Sequence, residues 1–286
     1  MAAFIKLEGT LAADSENALA EALSPLPVLG IQLHPAGDGV ARAEIWLSVA
    51  DAGNTEEIRK VLRGLGTHDL CVTEHAAEDW AGRWRASLHP FPVGAAWWID
   101  PHPDRGTRVP PGRWRLAVEP RAAFGSGTHE TTQLVLVELE AVGCRGRRVL
   151  DVGTGSGILA IAADRLDAAS VVAVDIDPIA AWEALRTAGC QDWRCRIRAV
   201  AGGVECCRSG AFDLVLANMI RSELVPILDD IHRVLAIGGE VVMAGLLESE
   251  RRAMESSLAG SGLEVTGGRR LGEWVSLVAV RLGGRA

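Results

Sequence analysis

The sequence predicts an α/β chain in two parts, a small N-terminal ferredoxin-like α+β domain followed by a larger doubly wound, Rossmann-like α/β domain. Three observations predict it. The first 75 residues carry apolar and helical patterns in the order βαββαβ. A glycine turn, Asp151-Val152-Gly153-Thr154-Gly155-Ser156-Gly157, joins an apolar strand pattern to a helical one. From Thr131 onward helices and strands alternate up to a terminal pair of strands. At 286 residues the chain also exceeds the usual size of a single core, so two unequal domains are expected.

Residues 1–75 read as a strand near Ala3 to Leu7, a helix from Asp14 to Leu23, strands from Val28 to Leu33 and Val40 to Val49, a helix from Asn54 to Arg63 and a strand from Asp69 to Thr73. Gly37, Asp38 and Gly39 supply the turn of the central hairpin. Residues 76–120 differ in texture. Trp80, Trp84, Trp97, Trp98 and Trp114 crowd among the prolines at 90, 92, 101, 103, 110 and 111, which reads as a linker that begins with a helix over 78–88 and continues in extended segments near Ala95 to Ile99 and Arg113 to Val118. The tryptophans are expected to pack one domain on the other, ligand stacking being the alternative.

Residues 121–286 form the second domain. Its strands are placed at Arg148 to Asp151, Val171 to Asp175, Arg196 to Val200, Leu214 to Ala217 and Glu240 to Ala244, with a closing antiparallel pair at Leu263 to Thr266 and Trp274 to Arg281. That closing pair is a mark of class I methyltransferases and is not expected of dehydrogenases.

The chemistry concentrates at the carboxyl ends of these strands, where open α/β sheets bind ligands. Gly153, Gly155 and Gly157 let backbone approach a ligand closely. Dinucleotide sites place their third glycine five positions after the first, but Ile158 stands there and Gly157 lies four after, a spacing that favours S-adenosylmethionine over NAD. Asp175 ends the second strand of the domain, 22 residues past Gly153, where a carboxylate can accept hydrogen bonds from a ribose diol. Asp177 precedes Pro178 and reads first as a helix cap, a ligand second. Asn218 ends the fourth strand, and its carbonyl can accept a hydrogen bond from an attacking amine; capping of the next helix is the structural alternative. Asn218-Met219-Ile220-Arg221 lacks the Asn-Pro-Pro-aromatic run of base methylation, which disfavours a base target. Phe124-Gly125-Ser126-Gly127-Thr128-His129-Glu130-Thr131-Thr132 reads either as a flap over the ligand, with Phe124 as a π surface, or as a helix start capped by Thr128 or Thr131. His129 could be a general base or a structural hydrogen-bonding group.

Composition limits the partners. The net charge is −8, and the first 75 residues hold 5 basic against 11 acidic side chains, so a phosphate-gripping surface or direct nucleic-acid readout is not expected and a basic protein partner is. The six cysteines show no CxxC pair and no zinc spacing with histidine, so no metal is expected and free thiols in a reducing compartment are. MAAFIKLEGT lacks the pattern of a signal peptide and no apolar run reaches the ~20 residues of a membrane span, which predicts a cytosolic chain without a membrane partner. A monomer is expected.

Together the Gly125-Ser126-Gly127-Thr128-His129-Glu130-Thr131-Thr132 loop, the Asp-x-Gly-x-Gly-Ser-Gly turn from Asp151, Val174-Asp175-Ile176-Asp177-Pro178 and Ala217-Asn218 resemble the PrmA family, bacterial lysine methyltransferases that modify ribosomal protein L11 of the large subunit. The resemblance spans nearly the whole chain, including the N-terminal domain and the motif running from Glu78-Asp79-Trp80 to His89-Pro90. It implies cofactor contact at Thr132, Gly153, Asp175 and Asn218, with Phe124 and Thr128 lining the same pocket, and a substrate held by the N-terminal domain. The implied activity is S-adenosylmethionine-dependent N-methylation of a protein lysine, with an N-terminal α-amine as a further acceptor. The alternatives are a lysine of another protein, or a non-catalytic S-adenosylmethionine-binding partner in ribosome assembly. Thr154 stands where the family often has Cys, and Asn218-Met219-Ile220-Arg221-Ser222-Glu223 departs from the usual Asn-Ile-Leu followed by small residues.

Overall fold

Along residues 40–48 the side chains alternate strictly between the two faces of a strand: Ala41, Ala43, Ile45 and Leu47 are buried, while Arg42, Glu44 and Trp46 face outward. A period of two requires one covered face. In the computed structural model, which describes residues 2–12, 15–37, 39–76, 87–120, 125–193 and 195–283, that face is covered by two helices. These are α1 (Glu16–Leu23) and α2 (Thr55–Gly64), and Leu19 and Leu23 of the first meet Ile58 and Leu62 of the second over Ile5, Leu7, Ile45 and Leu47. Strands β1 (Ala2–Ala12), β2 (Gly30–Gly37), β3 (Val40–Ser48) and β4 (His68–Ala76) pair antiparallel in the order β2-β3-β1-β4, the ferredoxin-like arrangement. β1 runs five residues past its expected end because Glu8 to Ala12 stay in register with Glu44 to Val40. Gly37 and Gly39 turn the hairpin with φ of 91° and 75°; Asp38 lies outside the described residues.

The chain divides into two compact units, Met1–Trp84 and Arg85–Ala286. Much of the expected linker therefore belongs to the second unit. Strands β5 (Phe91–Val93), β6 (Trp97–Asp100) and β7 (Trp114–Ala117) form a three-stranded sheet there. Trp97 is fully buried in that unit's own core and its Nε1 donates to Leu136 O at 3.0 Å. Trp80, Trp84 and nearly all of the expected helix over 78–88 lie outside the described residues.

The rest of the second unit follows the predicted rhythm through α3 (Glu130–Val142), β8 (Arg148–Val152), α4 (Ile158–Arg165), β9 (Ser170–Asp175), α5 (Pro178–Gly189), β10 (Ile197–Ala201) and β11 (Phe212–Asn218). It continues with the short helices α6 (Arg221–Leu224) and α7 (Leu228–Val234), then β12 (Leu235–Leu247), α8 (Arg251–Gly260), β13 (Leu263–Gly267), β14 (Arg270–Leu271) and β15 (Trp274–Arg281). The main sheet has the order β10-β9-β8-β11-β12-β15-β13, with β14 on β15. β8 to β12 run parallel and β15 enters antiparallel between β12 and β13, the order and closing hairpin of a class I methyltransferase. Chain order reverses at β8: β9 lies on one side of it and β11 on the other. The carboxyl ends of those strands diverge there, which leaves a crevice above the sheet. No helix among the described residues is long and apolar enough to cross a membrane.

Candidate functional site

The crevice begins at the turn after β8. Gly153, Gly155 and Gly157 all take left-handed φ, at 66°, 53° and 83°, a region that L side chains disfavour. Gly153 N and Thr154 N donate to Val174 O at 2.9 and 3.1 Å, which folds the turn over the end of β9. Added side chains would meet different obstacles. A Cβ on Gly153 would lie 3.1 Å from the Met219 sulfur at the crevice wall, whereas one on Gly157 would lie 2.8 Å from Ala184 Cα of α5. Helix packing therefore excludes a side chain at Gly157, whereas Gly153 and Gly155 line the crevice.

Two carboxylates organise this turn. Asp175 Oδ2 accepts from Gly155 N and Oδ1 from Asp177 N, both at 3.0 Å. Asp177 caps α5, its Oδ1 accepting from Ile179 N at 2.8 Å with Pro178 at the first helical position, and it also borders the crevice. Behind them the fully buried Asp151 accepts from Thr154 Oγ1 at 2.6 Å and Ala160 N at 3.2 Å through Oδ2, while its Oδ1 has no partner. Burial pushes its carboxyl up to about 6; the Thr154 and Ala160 hydrogen bonds oppose that rise and the nearby Asp175 charge adds to it. Asp151 was not singled out in the sequence, although its place in the glycine motif was visible there.

Asn218 ends β11 on the other side of β8. Its Nδ2 donates to Thr132 Oγ1 at 3.2 Å, and its Oδ1 is buried without a partner. The amide thus leaves one acceptor uncommitted beside the crevice, and it caps no helix: the residue at the cap position of α6 is Ile220. His129 caps α3, its Nδ1 accepting from Thr131 N at 3.3 Å, where Thr128 or Thr131 was expected to do so. That bond assigns the neutral ring's proton to Nε2. The ring meets Trp274 edge to face, with centroids 5.0 Å apart.

These groups border one cavity of about 820 Å³. Of the residues singled out in the sequence, Gly153, Gly155, Asp175, Asp177 and Asn218 line it, together with His129 and Thr131. Thr132 is fully buried behind Asn218, and Thr128 is not among the lining residues; its Oγ1 lies 2.8 Å from Ser126 Oγ. Phe124 lies outside the described residues. Trp274, Met219, Ile176, Ile220, Glu223 and Gly245 also line the cavity and were not singled out as ligand contacts. Among the described residues the charged lining is entirely acidic: Asp175, Asp177, Glu205 and Glu223, with no lysine or arginine. Such a cavity suits a cationic ligand.

Comparison with known proteins gives one consistent result. A family model described as "Ribosomal protein L11 methyltransferase (PrmA)" matches residues 43–282. Ribosomal protein L11 methyltransferase of Symbiobacterium thermophilum is 36% identical over 258 residues, covering 82% of this chain and 81% of its own. That of Geobacter sulfurreducens is 39% identical over 218 residues, covering 72% and 68%. The solved structure of ribosomal protein L11 methylase from Lactobacillus delbrueckii subsp. bulgaricus superposes with a TM-score of 0.62 at 28% identity, covering 68% of this chain and 100% of that one.

Proposed function

The chain belongs to the ribosomal protein L11 methyltransferase (PrmA) family, and from that membership we propose that it methylates amines, chiefly lysine side chains, of ribosomal protein L11 with S-adenosylmethionine as donor. S-adenosylmethionine, when bound, supplies an electrophilic methyl group on a positively charged sulfur. The observation that carries the reading is the all-acidic crevice at the β8 switch point, bounded by Asp175 on one side and the uncommitted Asn218 Oδ1 on the other.

The residues fit that donor. Asp175 has both carboxylate oxygens fixed by backbone N–H groups, and each retains lone pairs for a ribose hydroxyl. A side chain at Gly153 would crowd the Met219 wall and narrow the space in which the nucleoside would lie. Asp175, Asp177 and Glu205 on the nucleoside side, with no lysine or arginine in the described lining, favour a sulfonium over a phosphate-bearing dinucleotide.

A lysine amine in water has a pKa near ~10.4, so the site must take it up and present it neutral. Asn218 Oδ1 is placed to accept an N–H of the neutral amine and so direct the nitrogen lone pair into the cavity. Thr132 keeps the amide from rotating by accepting from its Nδ2. Fixing a nucleophile in line with its target is worth effective molarities of ~10⁵ to 10⁸ M, so orientation by Asn218 can carry much of the rate. The acidic first unit is the docking module for the basic substrate, and the enzyme works as a monomer in the cytosol. Incubation with labelled S-adenosylmethionine and ribosomal proteins from unmethylated ribosomes tests this. Label on L11 is expected; label on another protein would reassign the substrate, and label on none would refute methyl transfer to ribosomal proteins.

A further inference from the structure

Sheet order divides the cavity by itself. Asp175, Asp177 and the Gly202-to-Glu205 wall follow β9 and β10 on one side of β8; Asn218, Glu223, Gly245 and Trp274 follow or lie on β11, β12 and β15 on the other. The first half holds three carboxylates, and each is committed to backbone: Asp175 to Gly155 N and Asp177 N, Asp177 to Ile179 N, Glu205 to Gly203 N. The second half holds one, Glu223, whose carboxylate has no hydrogen-bonding or ionic partner among the described residues, its backbone N–H donating to Ile220 O at 3.0 Å. Its near neighbour Arg221 does not neutralise it, since positions two apart on a helix point to different faces and Arg221 is not among the lining residues. Around Glu223 the walls of this half are apolar or aromatic: Ile220 is 53% exposed, and Trp274 stands against the His129 ring.

We propose that Glu223 selects the acceptor: its carboxylate takes up the ammonium of a long aliphatic side chain whose stem lies along Ile220 and Trp274, the ammonium releases one proton to bulk water at this exposed side chain, and the neutral amine is received by Asn218 Oδ1. The proposal rests on the methyl-transfer reading above. A lysine matches both demands, an apolar stem and a cationic tip. An exposed, unpartnered carboxylate can hold such a tip by a charge-assisted hydrogen bond without first breaking a contact of its own. Neutral acceptors such as hydroxyls can hydrogen-bond to it but form no ion pair, so the same residue would favour amines over other nucleophiles. Glu223 is a specificity residue here; orientation at the reacting nitrogen stays with Asn218.

The test is Glu223→Gln, which keeps the shape and removes the charge. Its KM for the protein substrate should rise about tenfold, the equivalent of one charge-assisted hydrogen bond, with kcat within about twofold of the parent. Calorimetric Kd for S-adenosylmethionine and the melting temperature should stay unchanged, which a merely structural role would not allow. Binding of n-butylammonium, a lysine side-chain mimic, should weaken to the same extent as KM. An unchanged KM and unchanged n-butylammonium binding would overturn the proposal, as would a loss confined to S-adenosylmethionine affinity. The binding arm needs no turnover. A parent chain that transfers no label to ribosomal proteins yet binds n-butylammonium through Glu223 would uphold cation selection while refuting the L11 reading.

Discussion

Replacing Asp175 by Asn tests the nucleoside half most sharply, because the structure makes this isosteric change costly in either orientation. Both carboxylate oxygens accept backbone N–H groups, Oδ2 from Gly155 and Oδ1 from Asp177. An amide has one oxygen, so whichever way it is turned its NH₂ faces one of those donors. The turn then loses one charge-assisted hydrogen bond, worth about 1.5 to 3 kcal/mol, and the remaining neutral acceptor is weaker by about half. A ribose diol loses the same charge at the same time. The first loss falls on free and bound enzyme alike and so on folding stability; the second weakens cofactor binding by about 1.5 to 3 kcal/mol, roughly ten- to 150-fold in Kd. Calorimetric titration of the variant with S-adenosylmethionine and its demethylated product measures this directly. Asp175→Ala should be no milder, since it also frees both backbone donors. If Asp175→Asn binds within threefold of the parent, the carboxylate is a structural clasp of the turn and the ribose is held elsewhere.

Asn218→Ala should lower kcat by about 10² to 10³ in single-turnover assays while leaving S-adenosylmethionine affinity close to the parent's, as for loss of one oriented polar group at a reacting centre; an equal loss in both would move Asn218 to the cofactor. Asp151 predicts a pH effect. Its folded pKa, about 6, lies above the ordinary carboxylate value, so the folded chain binds the proton more tightly and the contribution to stability is fully present below about pH 4 and lost as pH rises through 6, at most about 3 kcal/mol. Urea unfolding of Asp151→Asn should therefore gain on the parent by that order between pH 4 and 7, and a pH-independent difference would refute it. Glu56 and Glu57 stand exposed in the first turn of α2. Reversing both to Lys should reduce kcat/KM on the protein substrate about tenfold at low salt, less as salt rises, without changing S-adenosylmethionine affinity; an unchanged rate would sink the docking role of the first unit.

What was legible in the sequence follows from the range over which each signal acts. β9 and β11 are short, largely apolar runs that each end at a polar residue where the chain leaves the sheet, so Asp175 and Asn218 mark their strand ends without knowledge of neighbours. β6 is different. Trp97 becomes core only because α3, forty residues on, lies over it and offers Leu136 O to its indole, whereas locally its tryptophans and prolines look like a connector. The partnership of His129 with Trp274 joins residues 145 positions apart and leaves no trace in either neighbourhood. For the same reason the acceptor half of the cavity, assembled from the ends of β11 and β12 and the start of β15, was seen only at Asn218 and in the unusual residues that follow it up to Glu223.

Glycines show the limit most clearly. Gly153 and Gly157 share a motif, a left-handed backbone and the lack of a side chain, and all of that can be read from the letters. What excludes the side chain cannot. At Gly153 it is Met219 at the crevice wall, and at Gly157 it is the backbone of α5. Alanine at the two positions should therefore fail differently. At Gly157 the strained φ and an obstacle that is main chain together destabilise the fold, while at Gly153 the nearest obstacle is the flexible thioether of a cavity-lining residue, so its displacement reshapes the cavity wall and ligand affinity is lost along with stability. A glycine-rich motif thus specifies a turn shape that several pressures can demand, and only the neighbours brought in by the sheet order distinguish a ligand contact from a packing contact.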